Sequence, residues 1–256
     1  MKGSLGSMTK TSLGLGTANW HRFKDANEID TFSRLLEIEN FEYIDTSPIY
    51  SQGYALSRVA TSNSVLGLKI VSKVGLKYGI ATRLGNMLPR GRRPYFRFFP
   101  SRIANVKTKN ISNAFLDQLK ELKMSSTYGL LIHNFEKHDD QSGLISELER
   151  IKSSGLTKYI GISIDQPIEL IPKNIQILQV PASMICEINV QNFPGTLIIN
   201  QIQKSNLVNT WKDLSVKLNA KEIVLLCGST RYSRVNSFQK TWKALLSETE
   251  KEIFND

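Results

Sequence analysis

The chain alternates two kinds of apolar spacing. Short runs dense in apolar residues, SLGLGT from Ser12, FEYIDT reaching Asp45, SVLGLKIVSK ending at Lys73, YGLLIH ending at His133, TKYIGIS, IQILQVP, TLIIN and EIVLLCG, read as strands. Between them apolar residues recur every third or fourth position. Ile29, Phe32, Leu35 and Leu36 make one such face, Ile111, Phe115, Leu119 and Leu122 another, and Leu144, Ile145, Leu148 and Ile151 a third, closed by Gly155 as a C′ residue. A short helix is expected over Gln52 to Ala60. Leu207, Trp211, Leu214 and Leu218, then Val235, Phe238, Trp242 and Leu245, outline two more, with Trp211 and Trp242 expected in the core. Eight strand-like runs separated mostly by helices, with no internal linker, predict one (β/α)₈ barrel rather than a doubly wound sheet. The stretch between Val180 and Thr196 is too irregular for a full helix, so the sixth βα unit is expected to be trimmed.

Composition leaves that prediction intact. At 256 residues, 41% hydrophobic and 22% charged, the chain suits a soluble globular protein with one barrel, core 12–246 within a single domain 1–256. No apolar run approaches the roughly 20 residues needed to cross a bilayer, and the N-terminal stretch lacks a signal-peptide core, so a cytoplasmic protein without a membrane span is expected. Cys186 and Cys227 lie far apart without metal-ligand spacing and are expected as reduced thiols.

Charge does change the picture, through its location. Between Thr46 and Leu116 there is no Asp or Glu, while 12 Lys and Arg residues fall in the same interval, against a net charge of +10 for the whole chain. The densest part, LPRGRRPYFRFFPSR, has neither helical nor strand periodicity and reads as a long basic loop over 78–108, after the third strand. Emerging beside the strand that ends at Lys73, its guanidinium groups, Arg92 and Arg93 among them, are placed to take an anionic substrate such as a phosphorylated, uronic or nucleotide-linked sugar. A solvated or protein-contacting surface is the plainer reading of the same loop.

In a parallel barrel the strand ends open on one face, so Asp45, Tyr50, Lys73 and His133 converge there although the sequence scatters them. Together they suit proton transfer. A phenol is a poor acid at neutral pH, and a nearby ammonium lowers its pKa; Lys73 supplies that charge and Asp45 keeps it on a buried lysine. His133 then fixes a substrate oxygen or the tyrosine itself. Such an acid serves carbonyl reduction, which needs a hydride-donating cofactor because no side chain donates hydride. A bare structural ion pair between Asp45 and Lys73 is the alternative reading, and the presence of Tyr50 and His133 in the same order argues against it.

These residues resemble the aldo-keto reductase family, in its sugar- and aldehyde-reducing branch. DTSPIY, with Asp45 and Tyr50 five apart, VSK with Lys73, LIH with His133, TKYIGIS with Ser163, LGLGT near the start and Gln179 in LQVP follow in family order from about Ser12 to Leu246. The resemblance implies an NAD(P)H-dependent oxidoreductase on a TIM barrel: Tyr50 as general acid, Lys73 tuning it, Asp45 paired to Lys73, His133 orienting the carbonyl, Gly16, Thr17, Ser163 and Gln179 at the cofactor, and Trp20 walling the substrate pocket. Ile164 stands where the family often has asparagine, Ala182 and Ser183 where it has an aromatic residue and asparagine, and no tyrosine follows the seventh strand to stack on nicotinamide.

The phosphates need their own holder, since GLGTAN lacks the third glycine of a dinucleotide fingerprint. CGSTRYSR supplies one: Gly228, Ser229 and Thr230 offer backbone amides at the start of the last helix, and Arg231 or Arg234 can pair with a 2′-phosphate, which favours NADPH over NADH and requires no metal. The expected partner is a small carbonyl substrate. Two other classes stay open: a binding module that senses cofactor or docks through its basic loop, and a Schiff-base aldolase using Lys73. Tyr95, Phe96, Phe98 and Phe99 are only a faint stacking signal, which argues against nucleic acid.

Overall fold

The computed structural model describes residues 10–23, 27–29, 32, 41–62, 67–77, 101–102, 108–137, 139, 141–186, 190, 193–202, 211, 218 and 220–255. Ten strands occur in it: β1 (Lys10–Gly16), β2 (Phe41–Asp45), β3 (Lys69–Val74), β4 (Leu76–Lys77), β5 (Ser101–Arg102), β6 (Thr127–Ile132), β7 (Thr157–Ser163), β8 (Ile177–Pro181), β9 (Thr196–Asn200) and β10 (Glu222–Cys227). Eight of them close a parallel barrel in the order β1-β10-β9-β8-β7-β6-β3-β2, the (β/α)₈ architecture that the apolar pattern predicts. Helices α1 (Ala55–Ala60), α2 (Thr108–Leu122), α3 (Gln141–Ser153) and α4 (Tyr232–Asn255) lie between or after the strands.

Residues alternate in and out of the barrel wall because successive side chains of a strand point to opposite faces. Tyr43, Val71, Leu131, Ile177, Ile198, Val224 and Leu226 form a separate buried cluster, the filling of the barrel. Glycine supplies the small members of that packing. A Cβ on Gly14 would lie 2.6 Å from Leu226 and 3.0 Å from Tyr43, and one on Gly129 would lie 2.6 Å from Ile177, so larger residues there have no space. The outward faces join a second, larger cluster with the helices, in which Phe115, Leu119 and Leu122 of α2 and Leu144, Leu148 and Ile151 of α3 are buried. Trp211 and Trp242 meet edge to face at 4.9 Å, both buried as expected from their helical spacing.

The N-terminal end of the barrel is stitched by charge. Lys10 and Lys69 both approach Glu42, at 2.7 and 2.9 Å, and Glu222, at 3.3 and 3.6 Å, while the Tyr43 hydroxyl donates to Glu222 at 2.6 Å. Although burial opposes it, the hydrogen bonds from Lys10 and Lys69 hold the Glu42 carboxyl down to about 2. These groups sit at the starts of β1, β2, β3 and β10, the end of such barrels that carries stability rather than chemistry.

After β8 the chain makes a 3₁₀ turn, Ala182–Met184, where the sequence predicts a trimmed sixth unit. Two departures from the sequence reading concern other connections. The basic segment is bracketed by an antiparallel pair, Leu76 opposite Arg102 and Lys77 opposite Ser101, which its composition did not reveal, and α2 already begins at Thr108. Arg92, Arg93 and the rest of 78–100 lie outside the described residues. The short helix expected over Gln52 to Ala60 is split into a 3₁₀ turn, Tyr50–Gly53, and α1, because Gly53 takes a positive φ of 84° between them.

Candidate active site

Strand parity alone places the site. Two residues beyond the inward-facing Tyr43, Val71, Leu131, Ile177, Ile198 and Leu226 stand Asp45, Lys73, His133, Gln179, Asn200 and Gly228; Gly16 and Ser163 hold the same place after the inward glycines 14 and 161. Every strand of the barrel thus contributes one inward position at its C-terminal end. Seven of these eight are residues that the sequence reading selects.

The four expected proton-transfer residues do come together. The Lys73 ammonium donates to the Asp45 carboxylate and, at 2.8 Å, to the Tyr50 hydroxyl. Lys73 has no exposed side-chain surface and Asp45 only 5%, so solvent does not screen the pair. The Tyr50 and His133 rings meet edge to face with centroids 5.6 Å apart. His133 Nδ1 lies 3.2 Å from the Ser47 hydroxyl, leaving its Nε2 edge for another partner.

Tyr50 is not on a strand, and its placement depends on a latch that the sequence reading missed. Ser51 adopts a φ of 52°, unusual for a residue with a Cβ; its hydroxyl donates to the Thr17 carbonyl at 2.5 Å, and its amide donates to Ala18 at 3.1 Å. Thr17 in turn donates its hydroxyl to the Asp45 carbonyl and lies 3.0 Å from the Thr46 hydroxyl. The loops after β1 and β2 are so tied that Tyr50 is turned toward Lys73. Thr17, expected at the cofactor, therefore has its hydroxyl engaged in this latch. A second clamp comes from α2: Ser72 donates to Gln118 Oε1 at 2.6 Å, and Gln118 Nε2 donates to the Lys73 carbonyl at 3.0 Å. A sequence signal existed, since Gln118 falls on the apolar stripe of Ile111, Phe115 and Leu122, where a polar residue requires a buried partner.

Electrostatics corrects one expectation. Burial raises the Tyr50 phenol well above its ordinary value, and the charges of Asp45 and Asp165 push it further, so in the resting site the phenol is a weaker acid than in water. Lys73 is lowered by burial, against which Asp45 and Asp165 act. His133 is brought down to about 2 by burial and by the Lys73 charge, which makes it a neutral imidazole at any working pH. When Ser47 donates to Nδ1, the ring hydrogen sits on Nε2 and can be offered to a substrate oxygen. Asp165 itself is raised by burial and lowered by the Lys73 charge and by a hydrogen bond with Asn134. Nothing in its sequence neighbourhood marks it, because its effect arises from a loop after β7 meeting the loop after β6.

The residues assigned to a nicotinamide cofactor divide. Gln179 is fully buried, and neither Nε2 nor Oε1 has a hydrogen-bond partner among the described residues, a buried carboxamide that asks for an amide-like ligand. Ser163 stands beside it, paired in register with Gln179. Past β10, a Cβ on Gly228 would meet nothing within 4 Å; Ser229 accepts the Arg231 amide at 3.1 Å just before α4, and Arg231 and Arg234 are exposed there while Thr230 is half-buried. This open helix start with two arginines suits a phosphate. The donor set fits the cofactor. Trp20, expected to wall the substrate pocket, is instead fully buried, its ring 5.9 Å from that of Phe23, and packs as core. Among the described residues no group of His, Cys, Asp and Glu is arranged to hold a metal, both cysteines are free, and no helix is long and apolar enough to cross a membrane.

Comparison with known proteins gives the same outline. The sequence profile of the aldo/keto reductase family matches residues 12–247. Among solved structures, the glycerol dehydrogenase of Gluconobacter oxydans superposes with a TM-score of 0.63 at 11% identity, covering 90% of this chain and 85% of that one. An aldo-keto reductase of Bacillus halodurans in its holo form gives 0.63 at 13% identity, over 90% and 86%. An aldo/keto reductase of Klebsiella pneumoniae in complex with NADP and acetate gives 0.55 at 14% identity, over 90% and 85%. A search of curated protein sequences returned no significant match.

Proposed function

The chain belongs to the aldo/keto reductase family, a family of oxidoreductases that use nicotinamide cofactors, and on that premise we propose that it reduces a sugar-type aldehyde or ketone with NADPH, Tyr50 supplying the proton. One observation carries this reading: a single buried ammonium, Lys73, holds both the Asp45 carboxylate and the Tyr50 hydroxyl at the mouth of the barrel.

The bound cofactor supplies hydride to the carbonyl carbon; the rest is the work of this chain. Because Lys73 donates to the Tyr50 oxygen, the phenolic hydrogen is left for another acceptor, the Asp45 carboxylate in the resting site or a substrate oxygen at the mouth. A raised pKa keeps that hydrogen on Tyr50 at neutral pH, as a general acid requires. As negative charge gathers on the substrate oxygen, Tyr50 gives up its proton to it, and the phenolate left behind lies against the Lys73 charge. The ammonium thus acts on the charged state that forms during reaction more than on the resting phenol. Asp45 opposes the loss of the Lys73 proton that burial favours, which also works against a Schiff base on that amine. Neutral His133 offers Nε2–H to the same oxygen and so orients the carbonyl.

Gln179 and Ser163 are assigned to the nicotinamide amide, and Gly16, Gly228, Ser229, Thr230, Arg231 and Arg234 to the remainder of the dinucleotide, the exposed arginines supporting the 2′-phosphate form. Asp165 brings negative charge close to Tyr50 and Lys73, which disfavours a second anion beside the reacting carbonyl. An anionic group on the substrate is therefore proposed to lie away from the carbonyl, with Arg92 and Arg93, outside the described residues, as its proposed partners. The alternative of a barrel that only senses cofactor has nothing in the site to recommend it.

The test follows cofactor absorbance with each reduced nicotinamide and a panel of aldoses, simple aldehydes and ketones. Consumption of NADPH with an aldose, faster than with NADH, is expected. Tight cofactor binding with no consumption for any carbonyl would transfer the protein to the sensing class.

A further inference from the structure

Asn200 is the one inward strand-end position that the assignments above leave without a role. It closes β9, next to β8 in the barrel and four strands from β3 in the closed order, and its inward direction follows from Ile198 two residues earlier. It is half-buried, and its Oδ1 is shielded from solvent with no hydrogen-bond partner among the described residues. Pro181 is its register neighbour on β8, two residues from Gln179 and on the same face. Two carboxamides on adjacent strands therefore turn into the same mouth with unmet hydrogen-bonding capacity.

The unmet atoms form a complementary set. Gln179 Nε2 lacks an acceptor, and Gln179 Oε1 and Asn200 Oδ1 each lack a donor. A primary carboxamide offers one carbonyl oxygen and two N–H groups, the inverse of that set. A ring without such a group satisfies none of it, and burying three unpaired polar atoms under a ligand is costly. We propose that Asn200 is a cofactor-recognition residue, its Oδ1 accepting one N–H of the nicotinamide carboxamide while Gln179 takes the carbonyl and the other N–H. Rooted in the cofactor reading above, this extends it. It also gives the chain a replacement for the amide that Ile164, a buried aliphatic residue beside Ser163, is unable to supply.

Equilibrium binding tests it without turnover. Intrinsic fluorescence reports the affinity of wild type, Asn200→Ala and Asn200→Asp for NADP⁺ and for its acetylpyridine analogue, in which a methyl ketone replaces the carboxamide and both N–H groups are gone. Wild type is expected to prefer NADP⁺. In Asn200→Ala the affinity for NADP⁺ falls about tenfold, the size of one good hydrogen bond, and that for the analogue stays the same. Asn200→Asp, which keeps an acceptor oxygen in place, recovers most of the loss. Equal weakening of both ligands in Asn200→Ala, or of neither, would overturn the assignment while leaving the cofactor reading in force. Failure of wild type to bind either dinucleotide would remove the cofactor reading and this assignment together.

Discussion

Tyr50→Phe lowers the turnover number for aldehyde reduction by about 10²- to 10⁴-fold, the usual contribution of a positioned general acid. Cofactor affinity stays near the wild-type value, because the cofactor assignments fall on β1, β7, β8, β9 and the segment after β10, outside the turn that carries Tyr50. The substitution removes one oxygen and leaves the ring, so the edge-to-face contact with His133 persists and the fold has no reason to change. What is lost is both the proton and the group that Lys73 would stabilise as it forms. Rate and cofactor binding measured on the same preparation separate this from a general weakening of the site: a proportional loss of both would show that Tyr50 shapes the pocket and does not act in the reaction.

Lys73→Met has the second large effect, on two observables at once. Methionine fills similar space but carries no charge, so the Asp45 carboxylate is stranded in a buried position. Breaking a buried pair from one side costs about 3–5 kcal/mol, more than the pair itself contributes, because the remaining charge is left without a partner. Thermal unfolding at neutral pH checks the loss. Adding Asp45→Asn to Lys73→Met restores most of the lost stability, and turnover in both variants stays low by about 10²- to 10³-fold, since nothing stabilises the phenolate. A double variant less stable than Lys73→Met would mean that Asp45 has another partner.

Much of this arrangement was legible in the sequence because the barrel turns a periodic pattern into a place. The eight apolar runs all become barrel strands, and a polar residue at the end of an inward-facing row must stand at the mouth, which is why Asp45, Lys73 and His133 were legible from the run ends, while Ser163 and Gln179 came from the family resemblance. Asn200 ends its run in the same way, yet TLIIN gives no sign of what an asparagine would do there until the orphaned atoms are seen. Loops obey no period. The latch of Ser51 on Thr17, the left-handed backbone at Ser51 and the approach of Asp165 to Lys73 all join segments distant in sequence, and none leaves a pattern in the order of residues.

The acidity of Tyr50 shows the same limit in energetic form. Proximity of an ammonium suggested a lowered pKa, but burial and two carboxylates outweigh it, and burial is a property of the assembled site alone. Sequence spacing identified the partners and their chemistry. It did not weigh them against desolvation, which depends on how completely Tyr50, Lys73 and Asp45 are enclosed.

That weighing is open to direct measurement in the pH dependence of kcat/KM, taken in both reaction directions for wild type and Tyr50→Phe. With the phenol held above its ordinary value of 10.0 and His133 at about 2, carbonyl reduction should be level across neutral pH, without a step near the ordinary histidine value of 6.5, and should fall only in alkali. Alcohol oxidation, which needs the phenolate, should rise over that same alkaline range, and both limbs should vanish from the residual activity of Tyr50→Phe. An alkaline limb that survives in Tyr50→Phe, or a wild-type step near 6.5, would contradict Tyr50 as the group that carries the proton.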